Sequence, residues 1–312
     1  MKCVVTGGAG FIGSNLAESL FNQGHDVSVI DDLSTGRYEN IEDFKDKISF
    51  IRGSILDLEL LKKNFKNCDV IFHEAAIPSV TRSIINPKAT SEVNIQGTLN
   101  VLLAARDSNV KKVIYASSSS VYGDTKELPK KETMSPNPKS PYALTKFVGE
   151  RYCEMFSKYY GLGTICLRYF NVFGPKQNAD SEYAAVIPKF IRSILRKESP
   201  VIFGDGNQTR DFTYVKDIVK ANILAANSEV NDGVVLNIAC NKNININELL
   251  RLINDALGTQ IEAKYADPRQ GDIKDSLADI SRANALIGFS PDYNLQSGIK
   301  ETINWLKDQE SA

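Results

Sequence analysis

The chain has 312 residues, 42% hydrophobic and 24% charged, the balance of a globular protein with an ordinary buried core. Its 37 basic and 38 acidic residues leave a net charge of −1 and are mixed along the chain, which argues against a nucleic-acid or anionic-membrane partner. Five scattered cysteines and two histidines offer no metal-ligand spacing, so no metal site is expected, and no run approaches the roughly 18 apolar residues of a membrane span.

The opening stretch, MKCVVTGGAG, enters a strand at once, without the charged leader and apolar core of a signal peptide. With thiols read as reduced, this suggests a cytoplasmic protein. The first strand, KCVVTG, runs into GGAGFIGSNLAESL and a helix near 14–24. Gly7, Gly8, Gly10 and Gly13 let the backbone turn sharply and approach a pyrophosphate that side chains would keep away. The helix N-terminus then offers N–H groups and a positive dipole end to the phosphates.

The second strand, DVSVID, ends at Asp31, where a carboxylate accepts from ribose hydroxyls and repels a 2′-phosphate; NAD is therefore predicted over NADP. Asp32 also fits a turn cap, and His25 a solvated turn. The third strand is ISFIRG, followed by a helix near 57–66. The fourth, VIFHEAA, carries His73, read as a structural hydrogen-bonder rather than a catalyst.

A helix near 92–108 leads to the fifth strand, KKVIYASSS, which opens the serine run Ser117 to Ser120. Residues 124–141 form a polar, proline-rich loop of a length that is often functional. It ends at a well-signalled helix, 141–160, with Ser140 as N-cap and Pro141 in the first turn. Tyr142 and Lys146, four residues apart, share one face of that helix. The sixth strand is GTICLRYFNVFG.

Alternating strands and helices predict an α/β fold of Rossmann type, a doubly wound parallel sheet with helices on both faces. After residue 175 the alternation lapses into a helix at 183–197, short strands near 200–203 and 211–215, and helices near 246–257 and 296–307. The expected division is an NAD-binding domain at 1–175, rejoined by some later segments, and a smaller α/β substrate lobe at 176–312.

In such sheets ligands bind beyond the carboxyl ends of the strands, so a serine there and the Tyr142–Lys146 face make a proton-transfer set. A tyrosine working as a base near neutrality must drop about 3 units from ~10, roughly 4 kcal/mol. One positive charge ~6 Å away at an effective dielectric of ~20 supplies on the order of 3 kcal/mol. Lys146, a nicotinamide cation and a helix N-terminus together suffice.

The ordered motifs resemble the extended short-chain dehydrogenase/reductase family, and within it the nucleotide-sugar epimerases. They are TGGxGFIG at 6–13, SSSxVYG at 117–123, YxxxK at 142–146, RYFNVFGP at 168–175, GDGxQTRDFTYV at 204–215 and RxGD at 269–272. The resemblance implies Tyr142 as acid/base, Lys146 as its pKa tuner and Ser118 as the hydroxyl on the reacting sugar oxygen. It implies a cofactor shell of Gly7, Gly10, Phe11, Ile12, Gly13, Asp31, Asp32, Ser54, Ile55, Ala75, Ala76, Asn94, Tyr142, Lys146 and Tyr169. Ser54 departs from the family pattern, which has an aspartate at the adenine.

Related dehydratases carry Asp-Glu after the catalytic serine, and decarboxylases a Glu at the second place. Here both are serines, Ser119 and Ser120, which leaves oxidation and hydride return, an epimerisation. For the UDP-sugar, the resemblance assigns Arg210 and Arg269 to the diphosphate, Asp272 to the ribose, Asn171 to the diphosphate–sugar end and Val186 to the uracil. Taken alone, the two arginines read equally as ion-pair partners of Asp211 and Asp272. In epimerases of this type the residue seven after the second arginine bounds the sugar 2-substituent; here it is Ser276, and with the small Ala184–Ala185 the resemblance favours UDP-N-acetylglucosamine alongside UDP-glucose. By analogy with related enzymes, helices 92–108 and 141–160 resemble the pair that builds a four-helix homodimer interface. The rival readings are a UDP-glucuronate 4-epimerase or decarboxylase, and a non-catalytic NAD-sensing protein.

Overall fold

Strands rich in Val, Ile and Leu on consecutive positions need apolar cover on both faces. The computed structural model, which describes residues 1–179, 185–268 and 274–311, supplies it with a seven-stranded parallel sheet. The first half runs β1 (Lys2–Thr6), α1 (Phe11–Asn22), β2 (Asp26–Asp31), β3 (Ser49–Arg52), α2 (Leu58–Phe65) and β4 (Val70–His73). Two short helices, α3 (Val80–Ile85) and α4 (Pro87–Ser91), and a π-helical turn at Glu92–Gly97 lead into α5 (Thr98–Asp107), β5 (Lys112–Ser118), α6 (Pro141–Tyr160) and β6 (Gly163–Tyr169).

The second half is β7 (Val172–Phe173), α7 (Val186–Leu195), β8 (Val201–Phe203), β9 (Thr209–Arg210), β10 (Thr213–Tyr214), α8 (Val215–Asn227) and β11 (Asp232–Ile238). It closes with β12 (Ile244–Asn245), α9 (Ile246–Leu257), β13 (Lys264–Ala266), α10 (Ser281–Ile287) and α11 (Leu295–Ser311).

The large sheet has the order β11-β6-β5-β4-β1-β2-β3. Chain direction across it reverses between β1 and β4, which are paired from Cys3–Val70 to Thr6–His73, and that reversal opens a crevice at their carboxyl ends. Adjacent residues serve opposite faces, as strand periodicity requires. Val5, Phe72 and Ile114 pack with Leu16 and Leu20 of α1 and Ile218 of α8. Val4, Ile71 and Val113 pack with Leu61, Val101 and Cys153 from α2, α5 and α6. A separate core holds the smaller lobe, where Ile187, Phe190, Ile191 and Ile194 of α7 meet Leu249, Ile253 and Ile299.

Helix α6 begins where expected, because Ser140 Oγ accepts from Ala143 N at 3.1 Å and Pro141 fills the first turn. It stops at Gly161, left-handed at φ 68°. The expected helix at 14–24 starts earlier, at Phe11, since the glycine loop passes straight into it. The helix expected over 92–108 is π-helical in its first turn. Helix α8 and strand β11 were not anticipated; β11 lies beside β6 as the outer strand of the large sheet.

The proline-rich loop is pinned to the C-terminal part of the chain. Lys130 N donates to Leu277 O at 2.7 Å, Lys130 O accepts from Asp279 N at 2.9 Å, and the buried Lys130 ammonium is held by the Thr125 and Glu127 carbonyls.

Candidate active site

The crevice is a cleft of about 400 Å³. Its floor is the glycine loop. Gly7 takes φ +71°, and a Cβ there would meet Ala75 N at 2.6 Å; a Cβ on Gly13 would meet Gly7 O at 2.2 Å. The loop thus packs against the residues after β4 and against itself, leaving the N-terminus of α1 open to the cleft. Gly7, Gly10, Phe11, Ile12, Gly13, Asp31, Asp32, Ser54, Ile55, Ala75, Ala76, Tyr142, Lys146 and Tyr169 all line it. Asn94 does not. It is buried behind the wall, where Oδ1 accepts from Ile77 N at 2.8 Å and Nδ2 donates to Ile77 O at 3.2 Å and Thr145 Oγ1 at 3.1 Å.

Asp31 accepts one backbone N–H on each oxygen, Ala9 N at 2.9 Å and Leu33 N at 2.8 Å, so each keeps a lone pair for a hydroxyl donor. Burial raises its pKa, and the two N–H groups oppose the rise. Asp32 caps the next turn through Ser34 N at 2.9 Å.

At the other end of the cleft, Lys146 is buried and donates from Nζ to Ala116 O at 2.7 Å; Nζ stands 5.9 Å from the centre of the Tyr142 ring. Burial pushes the ammonium down to about 8 against the pull of Glu74 and Glu150. The Tyr142 phenol is raised by burial and by Glu74, and lowered by its hydrogen bond with Ser118. Burial, with Glu74, therefore leaves the phenol above its ordinary value, and the drop needed for a base near neutrality is not produced by the protein alone.

Ser118 ends β5, where its Oγ accepts from Ser120 N at 3.2 Å and Ser120 Oγ at 2.9 Å. Behind the set, Glu150 of α6 takes two bonds from Arg168 (2.8 and 2.7 Å) and one from Ser117 Oγ at 2.5 Å, locking helix to sheet. His73 is enclosed between Thr6 Oγ1 at 2.8 Å and Thr98 Oγ1 at 2.9 Å. Because Thr98 already donates to Asn94 O, His73 Nε2 donates to Thr98 and Nδ1 accepts from Thr6, and burial drives the imidazole down to about 3.

Of the residues expected at the sugar and diphosphate, Asn171, Arg210 and Ser276 meet one another but are not among those that line this cleft. Asn171 Nδ2 donates to Asp211 O at 2.9 Å and Ser276 Oγ at 3.4 Å, and Ser276 N donates to Thr209 O at 3.1 Å. Arg210 donates from Nη1 to Thr209 O at 2.8 Å and Lys274 O at 3.3 Å. Its chain neighbour Asp211 is buried and turned to backbone donors, Cys240 N at 3.0 Å and Ala278 N at 3.2 Å, with burial raising its pKa to about 6. Val186 lines a second cleft, of about 390 Å³, with Lys189, Phe190, Val201 and Phe203. The first cleft reaches Asn178 and Ala185 and the second Ala179 and Val186, so the two adjoin. Arg269, Asp272 and Ala184 lie outside the described residues.

Several lining residues escaped the sequence reading: Arg37 and Asn40 near Asp31, Glu74 near Lys146, and Phe203 in the second cleft. Glu74 had a usable signal, as the residue directly after a central strand at its carboxyl end.

The sequence profile of the NAD-dependent epimerase/dehydratase family matches residues 3–239. The chain belongs to this family. Its likeness to solved members extends over the whole length. A UDP-N-acetylglucosamine 4-epimerase from Methanobrevibacter ruminantium, in complex with UDP-N-acetylmuramic acid, is 46% identical with TM-score 0.95, covering 99% of this chain and 98% of that one. A UDP-glucose 4-epimerase from Thermotoga maritima with UDP-glucose is 37% identical with TM-score 0.95, over 99% and 100% of the two chains. A UDP-glucose 4-epimerase from Thermus thermophilus, complexed with NAD, is 34% identical with TM-score 0.90, over 98% and 99%. The present member is thus an NAD-using enzyme. Its cleft fits the cofactor: a tight glycine loop at a helix N-terminus for the pyrophosphate, and the spare lone pairs of Asp31 for the ribose. Among the described residues, no helix is long and apolar enough to cross a membrane, and no cluster of metal-ligating side chains occurs.

Proposed function

We propose that the protein is a UDP-hexose 4-epimerase, interconverting UDP-glucose with UDP-galactose and UDP-N-acetylglucosamine with UDP-N-acetylgalactosamine. The observation that carries this reading is the meeting of Ser118, Tyr142 and Lys146 at one end of the cofactor cleft, with Ser120 bonded to Ser118 and no carboxylate at positions 119 and 120. Elimination and assisted decarboxylation each need an acid there. The cofactor lobe is residues 1–175 with α8, β11 and α10; the rest of 176–312 takes the nucleotide sugar.

Tyr142, as phenolate, accepts the proton of the sugar 4-hydroxyl, and Ser118 holds that oxygen. NAD, which the glycine loop and Asp31 would hold, would supply the acceptor and donor for the C4 hydride. Positive charge beside the ring, from the Lys146 ammonium and from the bound cofactor, would be what brings the Tyr142 phenol down. Lys146 also keeps its ammonium against Ala116 O, fixing its position beside the ring of Tyr142. Arg210 and Arg269 grip the diphosphate, Asp272 the ribose and Val186 the uracil, so the flat 4-keto sugar can turn about its tether. Small Ser276 leaves room for a 2-acetamido group. A homodimer through α5 and α6 of two copies is supported by exposed Leu144, Met155 and Tyr159 on α6.

The test is proton NMR of the purified protein with each UDP-hexose and no added NAD. A new anomeric signal from the 4-epimer is expected with both substrates. If both stay unchanged even after NAD is supplied, the reading fails; UDP-glucuronate is then the next substrate to assay, for which Arg82 lines the cleft.

A further inference from the structure

Strand β4 ends at His73, and the next residue, Glu74, lines the cleft together with Tyr142 and Lys146. Glu74 is held from several sides. Its N–H donates to Thr6 O at 3.1 Å, and its Oε1 accepts from the Tyr169 hydroxyl at 2.7 Å. Tyr169 is fixed in turn by Asn222 Nδ2 at 2.8 Å, and Asn222 also donates to Ile218 O at 2.9 Å. Elements β1, β6 and α8 thus hold this carboxylate in place. Among described residues lining the cleft, the other carboxylates are Asp31 and Asp32, at the end of β2.

Resting on the reading of Tyr142 and Lys146 as the proton-transfer pair, we infer that Glu74 is a positioning residue whose negative charge, held by Tyr169, sets the protonation of that pair. The surroundings leave few competitors. Lys146 faces Glu74, the Tyr115 ring at 5.2 Å, neutral His73, and Glu150, whose charge is already matched by Arg168. Tyr142 faces Ser118, Lys146, Glu74 and the Tyr115 hydroxyl, which burial keeps protonated. A carboxylate here favours the ammonium on Lys146 and opposes the phenolate on Tyr142, so both groups hold their protons to higher pH. Burial raises Glu74 itself to about 7, with Lys146 and the Tyr169 bond pulling it back, so its charge develops in the working range.

The experiment is the pH profile of kcat/KM for the NAD-loaded enzyme. Glu74→Gln keeps the size and an acceptor for Tyr169 but removes the charge. Both limbs are expected to move toward acid, the alkaline limb by about one pH unit, a tenfold change in proton affinity. Glu74→Asp is expected to leave the alkaline limb within a few tenths of a unit of the parent. Tyr169→Phe removes the donor, keeps Glu74 neutral to higher pH, and is expected to move the limbs the same way by less; it serves if Glu74→Gln does not fold. A variant that loses rate with both limbs in place, or moves them toward base, overturns the inference. Tyr142→Phe separates the two readings. If it stays active the assigned pair is wrong; if it is inactive while the limbs of Glu74→Gln stay put, only the role of Glu74 falls.

Discussion

The two adjoining clefts are made of different material. The cofactor cleft stands on strand ends and the first turn of a helix, and its key side chains are held by buried partners: Asp31 by two backbone N–H groups, Lys146 by Ala116 O, Glu74 by Tyr169. The second cleft stands mainly on one helix, with Val186, Lys189, Phe190 and Ser193 of α7 facing Val201 and Phe203 of β8. Side chains fixed by packing and second partners suit a group that stays through every cycle.

The sharpest test of this contrast is the pair of losses it predicts. Tyr142→Phe should lower kcat on the order of 10³-fold while leaving both NAD and UDP binding in place, the range for a lost acid/base; nucleotide content and calorimetry with UDP check the second half. Gly13→Ala should strip the protein of NAD, since the new methyl collides with Gly7 O, yet leave UDP affinity within a few-fold. Equal losses at both clefts would remove the distinction.

On the sugar side, Arg210→Ala should raise KM by about ten- to a hundredfold with kcat nearly kept, as expected for a lost charged hydrogen bond of roughly 1.5–3 kcal/mol. Ser276→Tyr should reduce kcat/KM for UDP-N-acetylglucosamine about tenfold more than for UDP-glucose, a steric discrimination of ~1.4 kcal/mol. The smallest effect belongs to the scaffold. His73 is neutral when folded, with a pKa near 3, and binds a proton near 6.5 once unfolded. The unfolded chain therefore takes up more protons between those values, and stability falls as pH drops below 6.5, by at most about 1.4 kcal/mol per unit from this residue. Urea midpoints at pH 7, 6 and 5 should show a flatter slope in His73→Gln.

What the sequence disclosed follows from how local each signal was. The start of α6 was legible because its cap and proline are neighbours of the turn they stabilise. The glycine loop and Asp31 were legible because strand, loop and helix follow one another directly. Asn94 looked like a cleft residue, but the π-helical turn buries it against Ile77 and Thr145, a contact between segments far apart in the chain. The role of Asp211 was hidden for the same reason, its N–H donors lying at Cys240 and Ala278. Helix α8 carried a readable stripe in Val215, Ile218, Val219, Asn222 and Ala225, whereas the place of β11 beside β6 depends on pairing that no nearby residue announces.

That seventh strand also bears on how the chain is made. When a ribosome has released residues up to the end of β6, the sheet still ends on an open edge whose seven residues are all buried in the finished protein. The partner for that edge follows some sixty residues later, after β7 to β10, α7 and α8. A nascent chain is therefore open to wrong strand pairing for as long as that stretch takes to emerge, about 3–14 seconds at roughly 5–20 residues per second. That edge is closed only once Ile238, the last residue paired with it, has emerged.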